Sequence, residues 1–194
     1  MGNAMDKPSH RLNLAYQDLD VFPKEHLTVE VAQQIRELDL TCNRFRDLKF
    51  LASFPDLEIL ILDHNGLGSH MKLPILPKLT TLWLNHNKIS NIGIFINMIH
   101  SSCPKIQYLS MMNNPAAPSY FNNSTAVQNK DYRDFVISQL RYLVGLDDTV
   151  VTADDRREAE RINKNIPKPY KVRRKRSRTK STNINACPTN TKPP

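Results

Sequence analysis

The sequence of 194 residues predicts an α/β fold: a right-handed solenoid of about five short units with a helical cap at its C-terminal end. Three observations point there. One apolar pattern returns in a single register. An asparagine occupies the same slot in four copies of it. An amphipathic segment, periodic at helical spacing, follows the last copy.

The copies are explicit. Ile35, Leu38, Leu40, Asn43 and Phe45 fit L-x-x-L-x-L-x-x-N-x-L. So do Leu57, Leu60, Leu62, Asn65 and Leu67, and again Leu79, Leu82, Leu84, Asn87 and Ile89. A fourth reads Ile106, Leu109, Met111, Asn114 and Ala116. A weaker first copy holds Leu12, Leu14, Gln17 and Leu19, with Ser9 in the leading apolar slot. The asparagines are spaced by 22, 22 and 27 residues. This is the leucine-rich-repeat pattern. Leucines at alternate positions of a short strand point inward. Asn43, Asn65, Asn87 and Asn114 form an inward ladder, placed to satisfy turn backbone groups that burial would leave unpaired. One unit cannot bury its own apolar face, so the units must stack.

The return segments differ. Leu48, Leu51 and Phe54 stand at helical or 3₁₀ spacing, and Ile92, Ile96 and Ile99 mark the longest convex segment. Pro74 and Pro77 disfavour a helix in the return between them. Beyond the repeats, Tyr132, Phe135, Val136, Leu140 and Leu143 predict an amphipathic helix. Leu143-x-x-Leu146-Asp147 begins a last partial repeat, and Thr152 with Asp155 predicts a capped helix from about Ala153 to Ile162. The expected division is an N-terminal segment 1–8, repeats 9–129, a C-terminal cap 130–163 and a disordered basic tail 164–194.

Charge is divided the same way. Residues 164–194 hold ten of the 27 Lys and Arg and none of the 19 acids. The rest is therefore slightly acidic, with seventeen basic residues against nineteen acids. The run KPYKVRRKRSRTK, with Arg173, Arg174, Lys175, Arg176 and Arg178, suits an RNA, an anionic surface or a nuclear import signal. Three widely spaced cysteines argue for a reducing compartment. Residues 1–11 carry no apolar run of the signal-peptide kind, and no window approaches a membrane span. A cytoplasmic monomer is expected, with nuclear entry through the tail as the alternative.

Inward leucines fix which residues face out along each strand. The candidate partner-binding set is Glu37, Asp39, Ile59, Ile61, Asp63, Trp83, Asn85, Tyr108 and Met112. It holds the chain's one tryptophan in a run of apolar neighbours, with acids along one side. Exposed apolar patches containing Trp and Tyr mark interaction sites, although scattered exposed apolar residues are ordinary. Catalytic motifs are absent, so no enzyme and no cofactor are expected. Cys42, His64 and His86 fall in one slot of successive repeats, about 5 Å apart per strand step. They are expected to be solvent-facing turn residues, since structural zinc wants four closed ligands, and no metal site is expected.

The repeats together with YRDFVISQL, LVGLDDTVVT and DDRREAERI resemble the repeat-plus-cap arrangement of the spliceosomal U2 A-prime proteins and the acidic nuclear phosphoproteins. Tyr132, Arg133, Val136, Ile137, Leu146, Asp147, Val150, Thr152 and Arg157 match that cap pattern. LEILILDHNGLG, LPILPKLTTLWLNHNKI and IQYLSMMNNPAAPSY bring the chain closer to the leucine-rich melanocyte differentiation-associated family, a likeness covering about Leu48 to Ile162. That resemblance implies an adaptor that binds a protein partner, linked to pigment-cell or endosomal organelles. The likeness to U2 A-prime implies a ribonucleoprotein assembly factor instead.

Overall fold

The computed structural model describes residues 10–23, 27–118 and 124–165. Strand β1 (Arg11–Asn13), β2 (Glu37–Asp39), β3 (Ile59–Ile61), β4 (Thr81–Trp83), β5 (Tyr108–Ser110), β6 (Gly145–Leu146) and β7 (Thr149–Val150) lie in sequence order in one sheet. Pairing is parallel from β1 to β6 and antiparallel only between β6 and β7. The register aligns Leu12, Leu38, Leu60, Leu82, Leu109 and Leu146 in one row. Each chain return therefore advances the solenoid by one strand. From Leu38 onward this row is completely buried, which makes it the spine of the core.

The returns take the forms their sequences allow. The 3₁₀ turn Lys49–Ser53 and helix α2 (Ile92–Ser102) occupy the predicted segments, and the Pro74–Pro77 segment has no regular element. Asn91 caps α2 by accepting from the Ile94 N–H at 3.0 Å. A short helix, α1 (Val29–Gln34), was not expected in the first return; Thr28 caps it through the Val31 N–H at 3.3 Å. In the cluster that takes its buried Ala32, Phe22 stacks on Phe50 at 4.6 Å and meets Phe54 edge-on at 5.6 Å.

The first repeat is formed. Its strand pairs through its whole length with β2. Leu12, Leu14 and Leu19 are only half-buried, because among the described residues no further repeat covers them. Gln17, which stands in the asparagine slot, is exposed.

The four asparagines are buried and each binds several backbone groups. The Asn87 amide donates to the carbonyls of Leu62 (2.9 Å), Leu84 (3.0 Å) and Asn85 (3.2 Å). Its oxygen accepts from the N–H of Leu67 (2.9 Å) and Asn65 (3.1 Å). Asn65 and Asn43 each donate to three carbonyls and accept one N–H, from Phe45 and Leu19 respectively. Asn114 donates to Leu84 and Met111 and accepts from Ile89. Each side chain thus ties one turn to the unit before it.

The cap is built on α3 (Ala126–Gln139) and α4 (Ala153–Asn165). Thr125 and Gln128 form a reciprocal capping box at 3.2 and 2.8 Å, which starts α3 at Ala126. Leu143 lies past the helix end, buried in the turn that leads to β6. Thr152 and Asp155 cap α4 reciprocally at 2.9 and 3.1 Å. Arg156 then closes the C-terminal end of α3. It donates to the carbonyls of Ile137 (3.0 Å), Leu140 (3.1 Å) and Leu143. Arg156→Met keeps most of the stem but strips these carbonyls of their donor. A loss of about 2 kcal/mol is expected in urea unfolding; an unchanged midpoint would show that water replaces the guanidinium.

The basic run, with Arg173, Arg174, Lys175, Arg176 and Arg178, lies outside the described residues, as does segment 1–8.

Candidate functional site

Strand register builds the concave face in rows. One row runs Arg11, Glu37, Ile59, Thr81, Tyr108 and Gly145; the next runs Asn13, Asp39, Ile61, Trp83 and Ser110. Trp83 is 44% exposed, Tyr108 46% and Met112 39%. These three sit on β4, β5 and the residues just after β5, with half-buried Ile59 one strand further back. Ser110, nearly buried, forms a low floor beside Trp83.

Two residues expected to face solvent do not. Ile61 and Asp39 are each only 9% exposed. Each has neighbours on both sides in register, Asp39 and Trp83 beside Ile61 and Asn13 and Ile61 beside Asp39. The acids are also less available than their types suggest. Arg11 bridges to Glu37 at 3.2 Å and to Asp39 at 3.6 Å. Asp39 accepts the N–H (3.0 Å) and hydroxyl (2.7 Å) of Thr41. Asp63 accepts from the Asn85 N–H at 2.8 Å and from its amide at 3.2 Å. The Asn85 oxygen in turn accepts from the Ser110 hydroxyl at 2.6 Å and the Met112 N–H at 2.9 Å. Asp39, Asp63 and Asn85 therefore form a framework that fixes the strand ends. Glu37, Ile59, Asp63, Trp83, Asn85, Tyr108 and Met112 remain at least partly accessible.

Sequence reasoning missed how the face continues onto the cap. A Cβ on Gly145 would lie 2.9 Å from Tyr108 Cδ1, so the tyrosine ring leans over this glycine. Val150, 69% exposed, pairs opposite Gly145 and adds an apolar margin. The glycine in a slot filled elsewhere by larger side chains was the available signal for the first of these. Strand β7 carries no repeat pattern and gave none.

Beside the face runs a row of turn residues in the left-handed region: Tyr16 (φ 60), Cys42 (φ 54), His64 (φ 54), His86 (φ 55) and Asn113 (φ 59). The rings of His64 and His86 stack at 4.1 Å with an interplanar angle of 11°. Asn113 Nδ2 lies 3.0 Å from His86 Nε2. Stacked rings hold their nitrogens side by side in parallel planes, not converging on one point, which suits a ridge better than a metal centre. Burial pushes the Cys103 thiol up to about 12, which removes it as a nucleophile.

One buried carboxylate joins face and cap. Asp147 accepts from the Met111 N–H at 2.8 Å and from the Tyr132 hydroxyl at 3.0 Å. Burial lifts its carboxyl above the usual range, against the pull of those two hydrogen bonds. A folded-state pKa above the unfolded one, about 3.9, gives stability that is complete at lower pH and lost as pH rises through the folded value. Asp147→Asn removes that titration. The variant is expected to gain on the wild type between about pH 3 and about pH 7 in thermal melts. A gain in the opposite direction would mean that the hydrogen bonds outweigh burial.

Comparison with known proteins agrees with this architecture. Residues 77–121 match the family "Leucine Rich repeats (2 copies)". The human leucine-rich melanocyte differentiation-associated protein is 39% identical over 116 residues, 59% of this chain and 59% of that protein's length. The chain therefore matches rather more than half of that relative. Among solved structures, a Drosophila melanogaster SNF/U2A' complex contains a chain similar at a TM-score of 0.58 and 18% identity, covering 80% of this chain and 84% of that one. That likeness concerns the fold alone. Among the described residues no helix is long and apolar enough to cross a membrane. Repeat register, sheet order and these matches together make the chain a leucine-rich-repeat solenoid with a helical C-terminal cap, homologous in part to the human leucine-rich melanocyte differentiation-associated protein.

Proposed function

We propose that the protein is a non-enzymatic interaction adaptor that binds a partner protein on its concave face. The observation that carries this is the exposed group of Trp83, Tyr108 and Met112 on neighbouring strands of a regular sheet. Large amphipathic side chains on a preformed surface contribute much contact area at small cost in ordering. The name of the human relative supports a role in melanocyte differentiation; organelle trafficking in the cytoplasm is the setting we propose for it. A chain carrying Trp83→Ala and Tyr108→Ala, used as bait in cell lysate beside the wild type, tests the reading. Trafficking proteins captured by the wild type and lost with the double variant support it. An identical set captured by both refutes it.

A second reading is a ribonucleoprotein assembly factor that enters the nucleus. It draws on the basic run at 168–180 and on the neighbour's presence in an SNF/U2A' complex. Spliceosomal proteins or RNA, captured in a strongly salt-dependent way, would favour it.

A further inference from the structure

We infer that the basic run of this chain docks in cis across its own concave face, setting Tyr170 and Val172 against the Trp83–Tyr108–Met112 patch and its arginines against Glu37 and Asp63. Complementarity is the first argument. The face combines an exposed apolar group with a margin of carboxylates. Asp63 receives hydrogen bonds from Asn85 and, among the described residues, has no ion-pair partner. Glu37 is held by Arg11, itself about half exposed, in a bridge that another cation displaces at little cost. The run KPYKVRRKRSRTK offers the matching pair of features, an aromatic and a β-branched residue followed by a block of cations and no acid.

Reach is the second argument. Helix α4 ends at Asn165, and the chain goes on to residue 194. An extended residue spans about 3.3 Å, so Tyr170, five residues past Asn165, reaches about 17 Å from the end of α4, and Lys180 on the order of 50 Å. Measured from β6, the Trp83 strand lies two strands back, about 10 Å, and β2 four strands back, about 19 Å at ~4.8 Å per strand. Both distances, taken from β6, fall within those reaches. Such docking covers the surface that the proposed partner uses, so that partner and tail compete.

The chain's one tryptophan lies in the patch and reports directly on its occupancy. Acrylamide, a neutral quencher, is applied to the full chain and to a full-length variant with Arg173→Gln, Arg174→Gln, Lys175→Gln and Arg176→Gln. At low salt the wild-type quenching constant is expected to be about twofold lower, because docking shields an indole that is otherwise 44% exposed. The difference should vanish at about 0.5 M salt, where charges are screened beyond a few ångströms. Asp63→Asn, which keeps a side-chain acceptor for the Asn85 N–H, should raise the quenching of the full chain. Equal quenching of wild type and tail variant at low salt overturns the inference. Protection that grows with protein concentration also overturns it, by assigning the contact to a second copy. Loss of partner capture in the double variant of the preceding section is independent of both results.

Discussion

Asn87→Ala should lower the unfolding free energy by about 4 kcal/mol, near the upper end of single-residue effects. The side chain serves five backbone groups at once: the carbonyls of Leu62, Leu84 and Asn85 and the N–H groups of Asn65 and Leu67. It is buried in a turn packed between two repeats. Each polar group left unsatisfied in such a place costs about 1–3 kcal/mol, partly recovered where water or relaxation reaches it. No buried side-chain nitrogen or oxygen among the described residues lacks a partner, so the turn has little slack to share the loss. Gln17, in the same slot of the first repeat, is exposed and gives the contrast: Gln17→Ala should change stability by no more than about 0.5 kcal/mol. Urea unfolding of both variants checks this. Equal small losses would show that the ladder is decoration rather than structure.

Trp83→Ala combined with Tyr108→Ala should weaken the captured partner roughly 100-fold, or about 3 kcal/mol. Both residues project from the sheet with nearly half their surface exposed, so removing them leaves the core beneath untouched. Folding stability should change much less than binding. The loss belongs mainly in the dissociation rate, since the apolar contact forms after encounter. In the chain whose tail charges are replaced by glutamine, weak dependence on salt is expected as well, because the patch itself carries no charge. A loss that appears only at low salt would instead move the interaction to the charged margin or the tail.

The sequence exposed the solenoid because repetition multiplies a weak signal. Leu60 alone says little, but the same slot filled by Leu38, Leu82 and Leu109 fixes strand, face and neighbours together. The asparagine positions were legible for the same reason. Features that occur once were harder to read. Helix α1 spans only Val29–Gln34, carries a Thr28 cap and contributes a single buried residue, Ala32, to the core cluster that holds Phe22 and Phe50. Strand β7 exists because the chain reverses at Asp147, whose φ of 57 sends it back antiparallel along β6.

The candidate site was legible as a list of outward positions, not as a set of exposures. Ile61 and Trp83 occupy the same slot one repeat apart, yet one is buried and the other projects. An alternation pattern fixes which side a residue faces, not how far its neighbours cover it. The pairing of Arg11 with Glu37 and Asp39 follows from adjacent strands in register, so the acids of the margin were over-counted as free charge.

Placing a photo-cross-linking amino acid at Thr81 on the concave face, beside the retained Trp83 and Tyr108, and separately at Asn97 on the exposed side of α2, asks where the partner sits. In lysate, position 81 should give a discrete protein adduct that position 97 does not. An adduct at position 97 with none at position 81 would place the binding surface on the convex side and contradict the concave-face mechanism.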